Sequence, residues 1–364
     1  MLRIGLPYPA VSPNHTFFRN DLFYWDSYFI ILGLVLSGRV KLAKDILENF
    51  RYIFSKYGLM LARNRRDSLG RTQPPLFTSM IFEVYEAEND KQWLNGMIST
   101  AQEEYRIVWN SGRRFLKEIG LSRYRSILPS QRYAEHESGW DTTSRFDNRC
   151  YDFIPIDLNC LLYQYEIDFA LAARENNNPA EESAWLKRAE NRKALINKFL
   201  WDSDDNFFYD YDFTAGRRRR FKTLAAYYAL WANLASETQA AALCDGLKYF
   251  EQSGGLASTE KVESWRKQWD WPNGWPNQHW MIVKGLLNYG FKKDAERIAR
   301  KWLDLNLEVF NQTGKLWEKY DVIARNYGKG GFYPKQAGFG WTNAVFLKLV
   351  GLFPDLGENL NTSV

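Results

Sequence analysis

Gln268-Trp269-Asp270-Trp271-Pro272-Asn273-Gly274-Trp275 sets three tryptophans, a carboxylate and a Pro-Asn-Gly turn within eight residues. Turn chemistry places such a stretch on a loop, and loops run over the surface. Flat apolar rings beside an acid and amides are what a sugar site needs. The pyranose face packs on a ring, while its hydroxyls require hydrogen-bond partners of fixed direction. A loop that pins its tryptophans into the core would carry the same residues, so this stretch alone leaves both readings open.

Four further polar-aromatic blocks share this composition: Phe23 to Tyr28, Arg71 to Pro75, Glu137 to Asp141, and Gly338 to Asn343. Cleavage of a glycosidic bond needs two carboxyl groups, one giving a proton to the leaving oxygen and one activating water or attacking the anomeric carbon. Asp141 follows Gly139-Trp140, an apolar setting that raises a carboxyl pKa and suits an acid. Glu318 stands before Lys319 and Tyr320, both able to hold it as an anion. Asp26 and Asp270 compete for either role, and Asp141 would also serve as a helix N-cap. Arg71 fits a hydroxyl clamp or a helix-mouth salt bridge. Composition supports a carbohydrate site without choosing the pair.

The elements that must position these blocks are helical. Apolar periodicity predicts helices at 24–37, 39–56, 74–88, 90–112, 154–174, 181–200, 219–234, 236–248, 274–289, 291–310 and 340–352. Several are joined by one or two residues at a glycine, which makes αα-hairpins. The first helix of a pair is the more apolar, as expected of an inner and an outer ring. Pairs begin near 24, 74, 154, 219, 274 and 340, too widely and irregularly spaced for a short-repeat solenoid. Six hairpins closed into an all-α (α/α)6 toroid account for them, with one of the twelve helices absent or irregular. Phe207 to Asp212 reads as strand, with a turn at Thr214-Ala215-Gly216 closing a small hairpin. Most blocks fall just before an inner helix, so their loops should converge on one mouth. No composition break divides the chain, and residues 1–364 read as a single catalytic domain.

Bulk properties narrow the function classes. With 364 residues, 45% hydrophobic, the chain can bury a large core, and its 16% aromatic content suits a ring-lined cleft. A net charge of +5 is too mild for an electrostatic nucleic-acid binder. The run Arg217 to Arg220 fits a solvated loop better than an anion-binding patch, having little basic sequence around it. Cys150, Cys160 and Cys244, with His15, His136 and His279, have no metal-ligand or disulfide-scaffold spacing. The N-terminus lacks the apolar core of a signal peptide, and the run Phe29 to Leu36 is too short to span a bilayer. The expectation is a cytoplasmic protein acting on a small carbohydrate, with no nucleic-acid or membrane partner and with its oligomeric state open.

Together the blocks resemble the trehalases among the glycoside hydrolases. Phe23-Tyr24-Trp25-Asp26-Ser27-Tyr28-Phe29 is similar to the family's Tyr-Tyr-Trp-Asp-Ser-Tyr-Phe run. Gln268 to Trp275 is similar to Gln-Trp-Asp-Tyr-Pro-Asn-Gly-Trp, with Trp271 for the tyrosine. Glu137-Ser138-Gly139-Trp140-Asp141 with Ser144-Arg145 resembles the acid block. Arg71 to Pro75, Ile154 to Asn159, Glu318 to Val322 and Gly338 to Asn343 match in family order. The resemblance implies an α/α toroid, inversion at the anomeric carbon, Asp141 as general acid, Glu318 as general base, and no metal or cofactor. It implies a polar wall of Asn64, Arg65, Arg71 and Gln73 and a pocket shaped by Trp25, Trp140 and Trp269. Further substrate contacts are implied for Phe18, Arg19, Tyr24, Asp26, Arg123, Glu137, Gly139, Asp270, Gln336, Phe339 and Trp341.

The chain departs from the family at three places. Phe17 stands where the first arginine of Gly-Gly-Arg-Phe-Arg-Glu would fall, and Phe332 replaces the glutamate of the glycine-rich loop. The Pro-Arg-Pro-Glu segment has no clear counterpart between Arg123 and Glu137. Exchanging a polar hydroxyl contact for a phenyl ring changes which aglycone is accepted. The expected activity is hydrolysis of a small α-glucoside, foremost α,α-trehalose to two glucose molecules. The alternatives are hydrolysis of a glucosylglycerol- or glucosylglycerate-like solute, and a non-catalytic sugar-binding protein on the same scaffold.

Overall fold

The computed structural model describes residues 2–263 and 267–356. Six helices are apolar on nearly every face: α1 (Tyr24–Leu36), α3 (Phe77–Glu88), α6 (Ile156–Glu175), α8 (Tyr228–Trp231), α10 (Pro276–Asn288) and α12 (Gly340–Leu352). They touch in chain order, and α12 packs back on α1, so the inner ring closes. The closest approach is at Gly33 on α1, where a Cβ would stand 2.7 Å from that of Ala344 on α12. Outside them lie α2 (Val40–Tyr57), α4 (Lys91–Glu104), α7 (Pro179–Leu200), α9 (Glu237–Gly246) and α11 (Lys292–Thr313). Each buries one stripe against the ring and leaves the other face wet. This is the α/α toroid expected, with five outer helices among the described residues. No helix among those residues is long and apolar enough to cross a membrane.

Three local departures from the expected elements have physical causes. Helix α4 ends at Glu104 and continues as a wide π turn, Tyr105–Trp109. There the Glu104 carboxylate accepts hydrogen bonds from Tyr24, Tyr165 and Trp109. The helix predicted from 219 starts only at Leu224, as a 3-10 turn leading into α8. The Arg219 amide pairs with the Asp210 carbonyl and Thr223 bridges to Thr259, which holds the chain extended. The short helix α5 (Gln131–Glu137), capped by Ser130, was not expected at all. The 207–212 strand is split into Phe207–Phe208 and Tyr211–Asp212, and the second part forms the hairpin with Arg217–Arg218.

Small sheets at one end of the ring tie its loops together. Asn273–Gly274 of the tryptophan loop pairs with Tyr320–Asp321, which pairs with Asn326–Tyr327. That ladder brings the tryptophan loop beside Glu318, far from it in sequence. Isolated bridges Phe23 to Arg63 and Trp317 to Ala337 join neighbouring loops of the same face.

Candidate active site

A cavity of about 690 Å3 opens at this end of the toroid, and all five polar-aromatic blocks reach it. Trp25 and Asp26 come from the start of α1, Arg71 and Gln73 from the segment before α3, and Gly139 and Asp141 from the turn after α5. Trp269 and Trp275 come from the loop before α10, and Phe339 and Trp341 from the start of α12. Four of these five loops enter at or just before the start of an inner helix, so ring closure converges them.

The tryptophans are both core and wall. Trp269 and Trp275 stack at 3.8 Å with planes 3° apart, and Trp140 stacks behind Trp269 at 5.4 Å. Trp25 lies 5.6 Å from Trp269 on the cavity side. Gly139 sits at φ +76, and a Cβ there would meet the Trp25 ring at 2.6 Å. Glycine therefore serves both the left-handed backbone and the close approach that presents Asp141.

Besides Asp67 at the rim, three carboxyls face the cavity. Asp141 Oδ2 accepts from Gln268 Nε2 at 2.9 Å, and Oδ1 accepts from the Trp269 indole at 3.3 Å. Burial, then the nearby charge of Glu318, raises its pKa to about 6 despite the Trp269 hydrogen bond. Glu318 Oε2 accepts from Lys319 Nζ at 2.7 Å and Oε1 from the Tyr333 hydroxyl at 3.0 Å. Its backbone is fixed on both sides: its amide donates to the Gln336 carbonyl, and its carbonyl accepts from the Trp341 indole. Asp26 is held well above the usual carboxylate range by burial first, then by Glu318 and Asp141. The cavity thus offers a carboxyl whose pKa is raised to about 6, a second ion-paired with Lys319, and a third pushed upward by burial. Proton donation and water activation are both within such a set.

Several residues expected at the site lie behind it. The Tyr24 hydroxyl is buried on Glu104 and Tyr165. Asn64 binds the Leu22 amide and the Ile4 carbonyl, joining two loops. Arg123 donates to the Arg113 and Tyr151 carbonyls. Glu137 forms a two-pronged ion pair with Arg114 at 2.7 Å. Asp270 accepts from the Thr143 hydroxyl and the Ser144 amide, which removes it from the contest for the acid. Gln336 bonds Asn14, and Trp140 backs Trp269. Arg19 does not line the cavity, and its carbonyl accepts from Arg3. Tyr320, expected on Glu318, instead accepts from the Trp317 amide, and Tyr333 takes its place. Arg65 and Phe18 do line the cavity, although Arg65 is tied to Asp21. Among the described residues Arg71 makes no salt bridge, and its guanidinium meets His136 Nδ1 at 3.2 Å.

The rim was less legible. Phe17 and Phe332 line it with half their surface exposed, 50% and 56%. Ser130, Arg132, Tyr133 and His136 of the α5 region, with Arg63 and Asp67, complete it. The hint was the missing Pro-Arg-Pro-Glu motif between Arg123 and Glu137.

Comparison with known proteins agrees with this geometry. The family model described as trehalase matches residues 3–133 and 127–354. The cytosolic neutral trehalase of Neurospora crassa is 33% identical over 93% of this chain and 57% of its own length. A probable trehalase of Saccharomyces cerevisiae is 33% identical over 93% of this chain and 54% of its own. The chain therefore spans a little over half the length of these curated relatives. The solved neutral trehalase Nth1 from Saccharomyces cerevisiae superposes with a TM-score of 0.89 at 28% identity, covering 98% of this chain and 76% of that one. A GH63 mannosylglycerate hydrolase from Thermus thermophilus shares the fold, with a TM-score of 0.72 at 18% identity over 94% and 96% of the two chains. With the family model covering nearly all of its length, the chain belongs to the trehalase family.

Proposed function

We propose that this protein is a cytosolic glycoside hydrolase that cleaves α,α-trehalose into two glucose molecules with inversion at one anomeric carbon. The observation that carries the reading is the pairing of two unlike carboxyls across one tryptophan-walled cavity. Asp141, with a pKa of about 6, holds a proton for the glycosidic oxygen. Glu318, fixed by Lys319 and Tyr333, takes a proton from the attacking water. An inverting site needs room for that water, with carboxyls roughly 6.5–9.5 Å apart. Asp26 fits the acid's role less well, because burial, then the charges of Glu318 and Asp141, favour its protonated form and make it a reluctant donor. Its place is a hydrogen bond to a sugar hydroxyl, beside Gln73 and Arg71. The identity with proteins named neutral trehalases supports both substrate and setting.

Glucose release from trehalose and from a panel of small α-glucosides tests the reading. Asp141→Asn and Glu318→Gln should each lower kcat on the order of 100- to 10,000-fold with the fold intact. Wild-type rates in either variant would remove that residue from its role.

A further inference from the structure

Phe332, which stands where the family has a glutamate, meets helix α5 at one side of the cavity mouth. Phe332 stacks on His136 at 5.7 Å with planes 18° apart, and the Arg132 guanidinium lies 5.8 Å over the Phe332 ring. Arg132 and His136 belong to α5, in the stretch where the family's Pro-Arg-Pro-Glu motif has no clear match. Arg71 closes the group through its contact with His136 Nδ1.

This patch is cationic, and although Asp67, Glu137 and Asp141 act on the Arg71 charge from a distance, the arginines outnumber their direct ion pairs. Arg63 is paired with Asp67, and Arg65 with Asp21. Among the described residues, no ion pair is formed by Arg71 or Arg132, and Arg71 Nε is buried without a hydrogen-bond partner. His136 cannot share the positive charge. Burial, then Arg71, Arg132 and Arg63, push its pKa down to about 4, so it stays neutral and accepts from Arg71. A guanidinium with unused donors in a half-enclosed cavity gains most from an anionic acceptor, because charge-assisted bonds are roughly twice as strong as neutral ones. The Phe332 ring holds Arg132 in place by cation–π attraction, and its stack with His136 offers a flat face to a sugar ring.

We infer that Arg71 and Arg132, over the Phe332–His136 stack, form a subsite for an anionic substituent, a phosphate or carboxylate, on the sugar or aglycone at the leaving-group side. The inference deepens the hydrolase reading and rests on it for the orientation of the ligand. The anion itself needs only the arginines.

The test is competition against trehalose hydrolysis by glucose 6-phosphate, glucose and inorganic phosphate, in the wild type and in Arg132→Gln. Glucose 6-phosphate should inhibit competitively with a Ki at least about fivefold below that of glucose, a margin that shrinks at high salt. Arg132→Gln should erase most of the margin and leave kcat/KM for trehalose within about twofold. Inhibition by inorganic phosphate as strong as by the phosphosugar would show that a free anion suffices and the sugar face adds nothing, overturning placement at the leaving-group side. Equal Ki values for glucose and glucose 6-phosphate, or a margin that survives Arg132→Gln, would overturn the subsite. If the protein releases no glucose from any α-glucoside, the hydrolase reading fails instead, and calorimetric binding of glucose 6-phosphate against glucose still decides the subsite.

Discussion

Gln268→Leu tests how the acid is tuned. In the native cavity the Gln268 amide donates to Asp141 Oδ2 at 2.9 Å, a bond that favours the carboxylate over the acid. Leucine keeps most of the volume and removes the donor. A hydrogen bond to a charged group contributes about 1.5–3 kcal/mol, and about 1.36 kcal/mol corresponds to one pKa unit. Water entering from the cavity replaces part of that bond, so an upward shift of about one unit is the realistic figure. The native value is about 6. The general acid must be protonated, so kcat/KM falls as pH rises through this pKa, and the shift carries the alkaline limb upward by the same amount. The assay is the pH profile of kcat/KM for trehalose, with thermal unfolding confirming an intact fold. An alkaline limb that stays in place, or moves to lower pH, would refute the assignment of that limb to Asp141.

Three other outcomes follow from the same contacts. Tyr333→Phe removes the hydroxyl that donates to Glu318 Oε1 at 3.0 Å, and it should lower kcat about tenfold with KM little changed; a pure KM effect would assign Tyr333 to substrate binding alone. Arg219 donates to the Ser144 and Arg145 carbonyls at 2.9 Å, clamping the loop that presents Asp141. Arg219→Ala should cut kcat several-fold more than it changes KM, with partial rescue in Arg219→Lys, whereas Arg217→Ala, on an exposed arginine of the same run, should be silent. Glu104 and Asp168 are raised by burial to about 7 from ordinary values near 4. Both bind protons more tightly folded than unfolded, so their contribution to stability is full at low pH and is lost as pH rises through about 7. Urea midpoints should therefore fall between pH 5 and pH 8, and Glu104→Gln should flatten that dependence; a midpoint that rises over this range would contradict the burial argument.

Much of this architecture is visible in the chain because inner helices are apolar all round and their leading loops are polar-aromatic. Trp25, Gln73, Asp141, Trp269 and Trp341 reach the cavity from blocks recognisable by composition alone. Glu318 could be picked from sequence only by resemblance, because its local setting, one acid beside one lysine, is common on surfaces. A two-residue strand pairing with the tryptophan loop brings it to the site, and so short a ladder leaves little periodic signal. Tyr24, Asn64, Glu137 and Asp270 share the composition of the wall yet support it from behind. Type and spacing do not show which side of a loop a side chain takes. Helix α5 was missed because seven residues with two buried side chains show no usable period. The arginine run combines both problems: Arg217 faces solvent, while Arg219 turns inward to hold the acid's loop.

The central claim is that Asp141 and Glu318 act from opposite faces of one anomeric carbon, and the anomers of the product test it most directly. Both glucosyl units of trehalose are α-linked. Inversion at the attacked carbon yields one β-glucose, while the departing unit leaves as α-glucose. Proton NMR in the first minutes of hydrolysis, before mutarotation equalises the signals, should show α- and β-glucose forming at equal rates. Formation of α-glucose alone would mean retention and contradict the assigned pair.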